Sequence, residues 1–162
     1  MGAGLGLCGI LAHHLQPAKV VLTDGDTDTL AFMRSNIETN CSPSSETGDD
    51  GETANTSNIQ SRQLVWANRA DERLQAFSQE HGPFDLILGS DIIYVEEILE
   101  PLFATVAQLL SPNEATVGQF WLAYARRNVS IDLVLETAAA FGFSFTTPAD
   151  AEGVFVFQRA PF

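Results

Sequence analysis

The chain opens on Gly2-Ala3-Gly4-Leu5-Gly6-Leu7-Cys8-Gly9, the composition of a loop whose backbone comes close to a nucleotide. Small residues permit that approach, and a helix beginning inside the loop presents N–H groups that have no partner within the helix. Asp24 follows an apolar run at the separation where an acid can accept hydrogen bonds from ribose hydroxyls. Its competing job is to cap the next helix, which Asp26 or Thr27 can do equally well, so the ribose role is favoured for Asp24. Trp66 ends an apolar stretch and is either one wall of an adenine slot or a core side chain. Ser90-Asp91-Ile92-Ile93-Tyr94 places a carboxylate and a phenol three positions apart, the spacing that brings both to one side of a helical turn. Asp91 could equally cap a helix starting near Val95, with Tyr94 packing beneath it. The literal glycine pattern also fits a nicotinamide dinucleotide, which keeps an oxidoreductase among the alternatives.

These residues need strands that end where they stand. Apolar spacing predicts a helix over 6–15, a strand over 19–23 and a second helix over 27–40 with Leu30, Met33, Arg34 and Ile37 at helical intervals. Strands are expected at 63–66, 84–89 and 117–125, and helices at 71–81, 96–110 and 131–141. A hairpin-like pair, 143–145 with 153–157, closes the series. Strands alternating with helices predict an α/β fold, a mostly parallel twisted sheet with helices on both faces. In such sheets ligands bind beyond the C-terminal ends of the strands, where Asp24, Trp66 and Ser90 to Tyr94 fall. The glycine loop follows Met1 directly, so the strand it would turn out of is expected to lie upstream of this sequence.

The 162 residues carry a formal net charge of −13, which argues against nucleic acid or an anionic membrane as partner. An acidic surface suits solubility or a basic protein partner. Two cysteines, Cys8 and Cys41, make neither a disulfide framework nor a metal spacing. A reducing compartment follows, the cytoplasm with the nucleus as alternative. No apolar run approaches the roughly 20 residues that span a bilayer. Residues 41–61, rich in Ser, Thr, Asn and acids, are expected to be a disordered acidic insert in one domain covering 1–162. Arg126-Arg127 is expected to be a solvated surface pair.

Taken in order, the glycine loop, Leu22-Thr23-Asp24, Leu64-Val65-Trp66 and Phe84-Asp85-Leu86-Ile87-Leu88-Gly89-Ser90-Asp91-Ile92-Ile93-Tyr94 resemble the seven-stranded S-adenosylmethionine-dependent methyltransferases of the Asp-x-x-Tyr group. That group includes protein-lysine methyltransferases acting on calmodulin, elongation factors and chaperones. The resemblance implies a Rossmann-like fold lacking its first strand, with S-adenosylmethionine as cofactor and no metal. It implies that Gly2, Ala3 and Gly4 pass under the methionine part, Asp24 holds the ribose, Trp66 and Ser90 flank adenine, and Asp91 and Tyr94 face the acceptor. It further implies methylation of a protein lysine, and the chain is expected to be a monomer. The first strand would lie between those ending at Asp24 and Ser90, so both are expected at sheet edges. An inactive methyltransferase-like binding module is the alternative from another class.

Overall fold

A side chain at Gly9 has no room: its Cβ would stand 2.5 Å from Leu22 Cγ, so the helix carrying Gly9 lies directly on the strand carrying Leu22. This computed structural model describes residues 1–41, 58–112, 117–125 and 128–159. Two compact units divide the chain, Met1–Gln63 and Leu64–Phe162.

The first unit contains α1 (Leu7–His13), β1 (Val20–Asp24), α2 (Thr27–Cys41) and β2 (Ile59–Gln63). β1 and β2 pair in parallel, Val20 opposite Ile59 and Asp24 opposite Gln63. Leu22, Leu30, Met33, Cys41 and Ile59 form the core, with Ala3, Ile10, Val20 and Ile37 packed against it. α1 is shorter than its apolar run, because the chain turns through a left-handed Gln16 before Pro17, which disfavours helix in the residue ahead of it. Cys41 continues the buried stripe one turn past Ile37 and acts as a small hydrophobe. It therefore closes α2, and Ile59 to Ser61 belong to β2, so both expected ends of the insert move inward. The rest of the insert, 42–57, lies outside the described residues.

The strand expected over 63–66 instead ends at Gln63. Its partner β1 stops at Asp24 to turn into α2, and among the described residues no ladder continues through Leu64, Val65 and Trp66. An apolar run reads as a strand, yet without a neighbour its backbone cannot pair as one.

The second unit contains α3 (Glu72–His81), β3 (Leu86–Ser90), a 3₁₀ turn (Glu96–Ile98) leading into α4 (Leu99–Leu109), β4 (Gln119–Ala123), α5 (Ile131–Ala140), β5 (Phe143–Thr146) and β6 (Val154–Arg159). The strand order is β3-β4-β6-β5. β3 and β4 are parallel, as a helical crossover requires, whereas β6 runs antiparallel to both β4 and β5. The short link from β5 to β6 can only reverse the chain, so the closing pair introduces the antiparallel pairings. The fold is α/β. β1 has only β2 beside it and β3 only β4, so each is the terminal strand of its own sheet among the described strands.

α4 is buried almost all round, as a helix in the middle of a core must be. Its Phe103 ring meets Phe157 edge-on at 5.5 Å and Phe120 at 6.2 Å, and all three side chains are fully buried. Such rings add about 0.5–1.5 kcal/mol per pair beyond their apolar burial. Asp71 caps α3 and Ser130 caps α5, each accepting from backbone N–H groups in the first turn.

Candidate functional site

In the first unit the glycine loop is fastened at both ends of its turn. The Ala3 N–H donates to the Thr23 carbonyl at 2.9 Å, extending the end of β1 sideways into the loop. The Gly4 N–H donates to Asp24 Oδ2 at 3.0 Å. Asn36, on α2, donates its side-chain amide to the Leu5 carbonyl at 2.9 Å. Gly4 has a φ of +52° and nothing within 4 Å of a Cβ, so conformation and not space makes it glycine. Gly9 is the reverse case, an ordinary backbone with no room for a side chain.

Asp24 does not cap α2. Asp26 does, accepting from the Thr29 N–H at 2.6 Å, and the hydrogen bonds from Thr29 hold its carboxyl below the usual range. Asp24 instead accepts from Gly4 and, through Oδ1, from the Asp26 N–H at 3.1 Å. A carboxylate oxygen can accept more than one donor, so these two bonds aim the group without exhausting it. The structure thus joins Gly4 to Asp24 directly and Ala3 to the Thr23 carbonyl beside it.

In the second unit β3 delivers Ser90 and Asp91. The parallel ladder with β4 runs one residue past Ser90, where the Asp91 N–H donates to the Ala123 carbonyl at 2.9 Å. Asp91 has a φ of +53°, a left-handed conformation that ordinary side chains resist and aspartate tolerates. Immediately afterwards Ile92 and Ile93 are buried, and Ile92 folds back so closely that a Cβ on Gly89 would stand 2.6 Å from its Cδ1. Burial of these two isoleucines leaves Ser90 exposed before them and Tyr94 52% exposed after them.

The helical turn expected to align Asp91 with Tyr94 is absent: residues 91–95 carry no helix, and the 3₁₀ turn begins only at Glu96. The two side chains are related by an irregular exit from β3, which the buried isoleucines fix. Val95 precedes that turn with no side-chain cap, and the exposure of Tyr94 rules out a core role.

Trp66 is half-buried on an irregular segment and is therefore not the end of a strand. Leu64 anchors that segment on one side. On the other, Thr105 of α4 accepts from the Ala67 N–H at 3.0 Å and donates to the Ala67 carbonyl at 3.2 Å. Sequence reasoning passed over both Asn36 and Thr105. Thr105 left one signal, a hydroxyl on the apolar stripe with Leu102 and Val106; Asn36 sat among polar neighbours and left none. Arg126 and Arg127 lie outside the described residues. No group of His, Cys, Asp and Glu able to hold a metal occurs among the described residues, and no described helix is long and apolar enough to cross a membrane.

A family model described as lysine methyltransferase matches residues 1–137, which include every residue considered above for the site. The mouse "Protein N-lysine methyltransferase METTL21A" is 35% identical over 126 residues, 78% of this chain and 50% of that protein. The mouse "Histone-arginine methyltransferase METTL23" is 30% identical over 135 residues, 82% of this chain and 45% of that protein. The chain spans about half the length of the curated relatives it matches. A crystal structure of a methyltransferase from Pyrococcus furiosus superposes with a TM-score of 0.66 at 19% identity, covering 99% of this chain and 73% of the other. That likeness is one of fold.

Proposed function

Because the chain belongs to the lysine methyltransferase family, we propose that the whole protein is an S-adenosylmethionine-dependent methyltransferase that modifies a protein lysine side chain. The observation that carries this reading to named residues is the exit of β3, where Asp91 is held in a left-handed conformation and Tyr94 is exposed beyond two buried isoleucines. An acid kept in an uncommon backbone state is suited to a ligand.

The glycine loop fits the cofactor. Its backbone is bare at Gly4, and the carboxylate of Asp24 is already aimed by two N–H donors. Gly2, Ala3 and Gly4 line the methionine part, Asp24 accepts from the ribose hydroxyls, and Trp66 and Ser90 flank adenine. When bound, S-adenosylmethionine supplies a methyl group on a sulfonium and leaves as the neutral thioether once an amine lone pair has taken that group. The acceptor must arrive as a neutral amine, its proton passing to solvent. Asp91 attracts and orients the ammonium before that loss, while Tyr94 offers a ring face or hydroxyl to the lysine stem. Alignment and exclusion of water supply most of the acceleration in this account, since a sulfonium needs little further activation. The protein acts as a monomer in the cytoplasm, and its net charge of −13 suits a basic protein substrate.

The test is transfer of tritiated methyl groups to calmodulin, an elongation factor and a chaperone, with the modified residue identified by mass spectrometry. Asp91→Asn keeps a side chain that tolerates positive φ and removes only the charge. It is expected to lower methyl transfer by about 10²-fold or more, the scale of a misplaced acceptor. Affinity for S-adenosylhomocysteine should stay within about threefold, since a group acting on the acceptor leaves cofactor binding in place. Full activity in this variant contradicts the role given to Asp91. Methylarginine as the product would favour an arginine acceptor, the second reading, which the relative named as a histone-arginine methyltransferase supports.

A further inference from the structure

We propose that Thr105 is a positioning residue: by holding both polar groups of Ala67, its hydroxyl sets the place of Trp66 and with it the affinity for the adenine end of the cofactor. This rests on the methyltransferase reading above and adds a residue to the same site.

Residues 64–68 follow β2 without regular structure, so strand pairing does not satisfy their backbone groups. Thr105 has no exposed surface, and its hydroxyl reaches out of α4 to one peptide residue twice, accepting at 3.0 Å and donating at 3.2 Å. A helical threonine more often turns its hydroxyl back to a carbonyl of its own helix, as Thr137 does to Leu133 at 2.8 Å. Thr105 does the work of a neighbouring strand, being donor and acceptor to one residue. Trp66 is the residue immediately before Ala67, and its predecessor Val65 is 54% exposed. Between the buried Leu64 and the clamped Ala67, the Trp66 backbone is held from both sides.

Only two tryptophans occur in the chain, so Trp121→Phe leaves Trp66 as the sole indole. In that parent, Thr105→Val removes the hydroxyl at nearly constant volume and Thr105→Ser retains it. Calorimetric titration with S-adenosylhomocysteine gives the affinity, and acrylamide quenching of Trp66 without ligand reports its order. Thr105→Val is expected to weaken binding by about tenfold or more, the loss of two buried hydrogen bonds, and to increase quenching. Thr105→Ser should stay within about twofold on both measures, because the same bonds remain. Parent-like affinity in Thr105→Val overturns the proposal whatever the quenching shows. Should the valine variant not fold, the serine variant decides: retained affinity supports the hydroxyl clamp, and a tenfold loss overturns it. Absence of binding by the parent, before any change at Thr105, overturns the methyltransferase reading and this inference with it, so the two failures are told apart.

Discussion

Asp24 and Asp91 are both placed by the backbone. Asp24 gathers the Gly4 and Asp26 N–H groups, and Asp91 gives its own N–H to Ala123 while its φ stands at +53°. The glycines that shape the loop are required for two different reasons, which substitution separates. Gly9→Ala drives a methyl group into Leu22 and is expected to destabilise the chain by about 1–3 kcal/mol, as overpacking does. Gly4→Ala meets no atoms but must hold φ at +52°, a conformational cost of about 1–2 kcal/mol. Urea unfolding of both variants checks this. Leu22→Val should cost less in the Gly9→Ala variant than in the parent, and as much in the Gly4→Ala variant as in the parent. Equal stability of Gly9→Ala and the parent contradicts the close packing of α1 on β1.

Elements whose stripe of apolar residues was framed by a cap were legible in the sequence. α2, α3 and α5 start and stop within a residue or two of their expected bounds, because Asp26, Asp71 and Ser130 mark their beginnings by side-chain capping. Two places were misread, for the same physical reason. Leu64 to Trp66 is apolar enough for a strand but has no partner to pair with, and Asp91 to Tyr94 has helical spacing but is fixed by the tertiary burial of Ile92 and Ile93. Neither partner availability nor which neighbour a side chain folds over is written in a local pattern. The cap of α3 gives a pH test. Hydrogen bonding from Arg73, side chain first and then backbone, lowers the Asp71 carboxyl from 3.8 to about 2. A depressed acid stabilises the fold above its unfolded pKa, and that contribution disappears as pH falls from 3.8 through about 2. Urea midpoints across this window should fall more steeply for the parent than for Asp71→Asn, which has no proton to gain. Parallel slopes contradict the cap.

At the scale of the whole molecule, a chain of net charge −13 with an α/β fold presents a glycine loop and Asp24 in one unit, and Trp66 and the β3 exit in the other. The family and fold class could be read from the order of the motifs, since Asp24 and Ser90 fall at the ends of strands and Asp91 to Tyr94 just beyond one. The residues that hold those motifs still could not: Asn36 and Thr105 act through contacts between helices and loops that no spacing rule encodes. Whether the protein binds S-adenosylmethionine is tested most directly by calorimetric titration of S-adenosylhomocysteine into the chain, with NAD in parallel. One-site binding with a dissociation constant on the order of micromolar, and no heat from NAD, is the expected result. Binding of NAD in its place, or of neither ligand, contradicts the cofactor assignment.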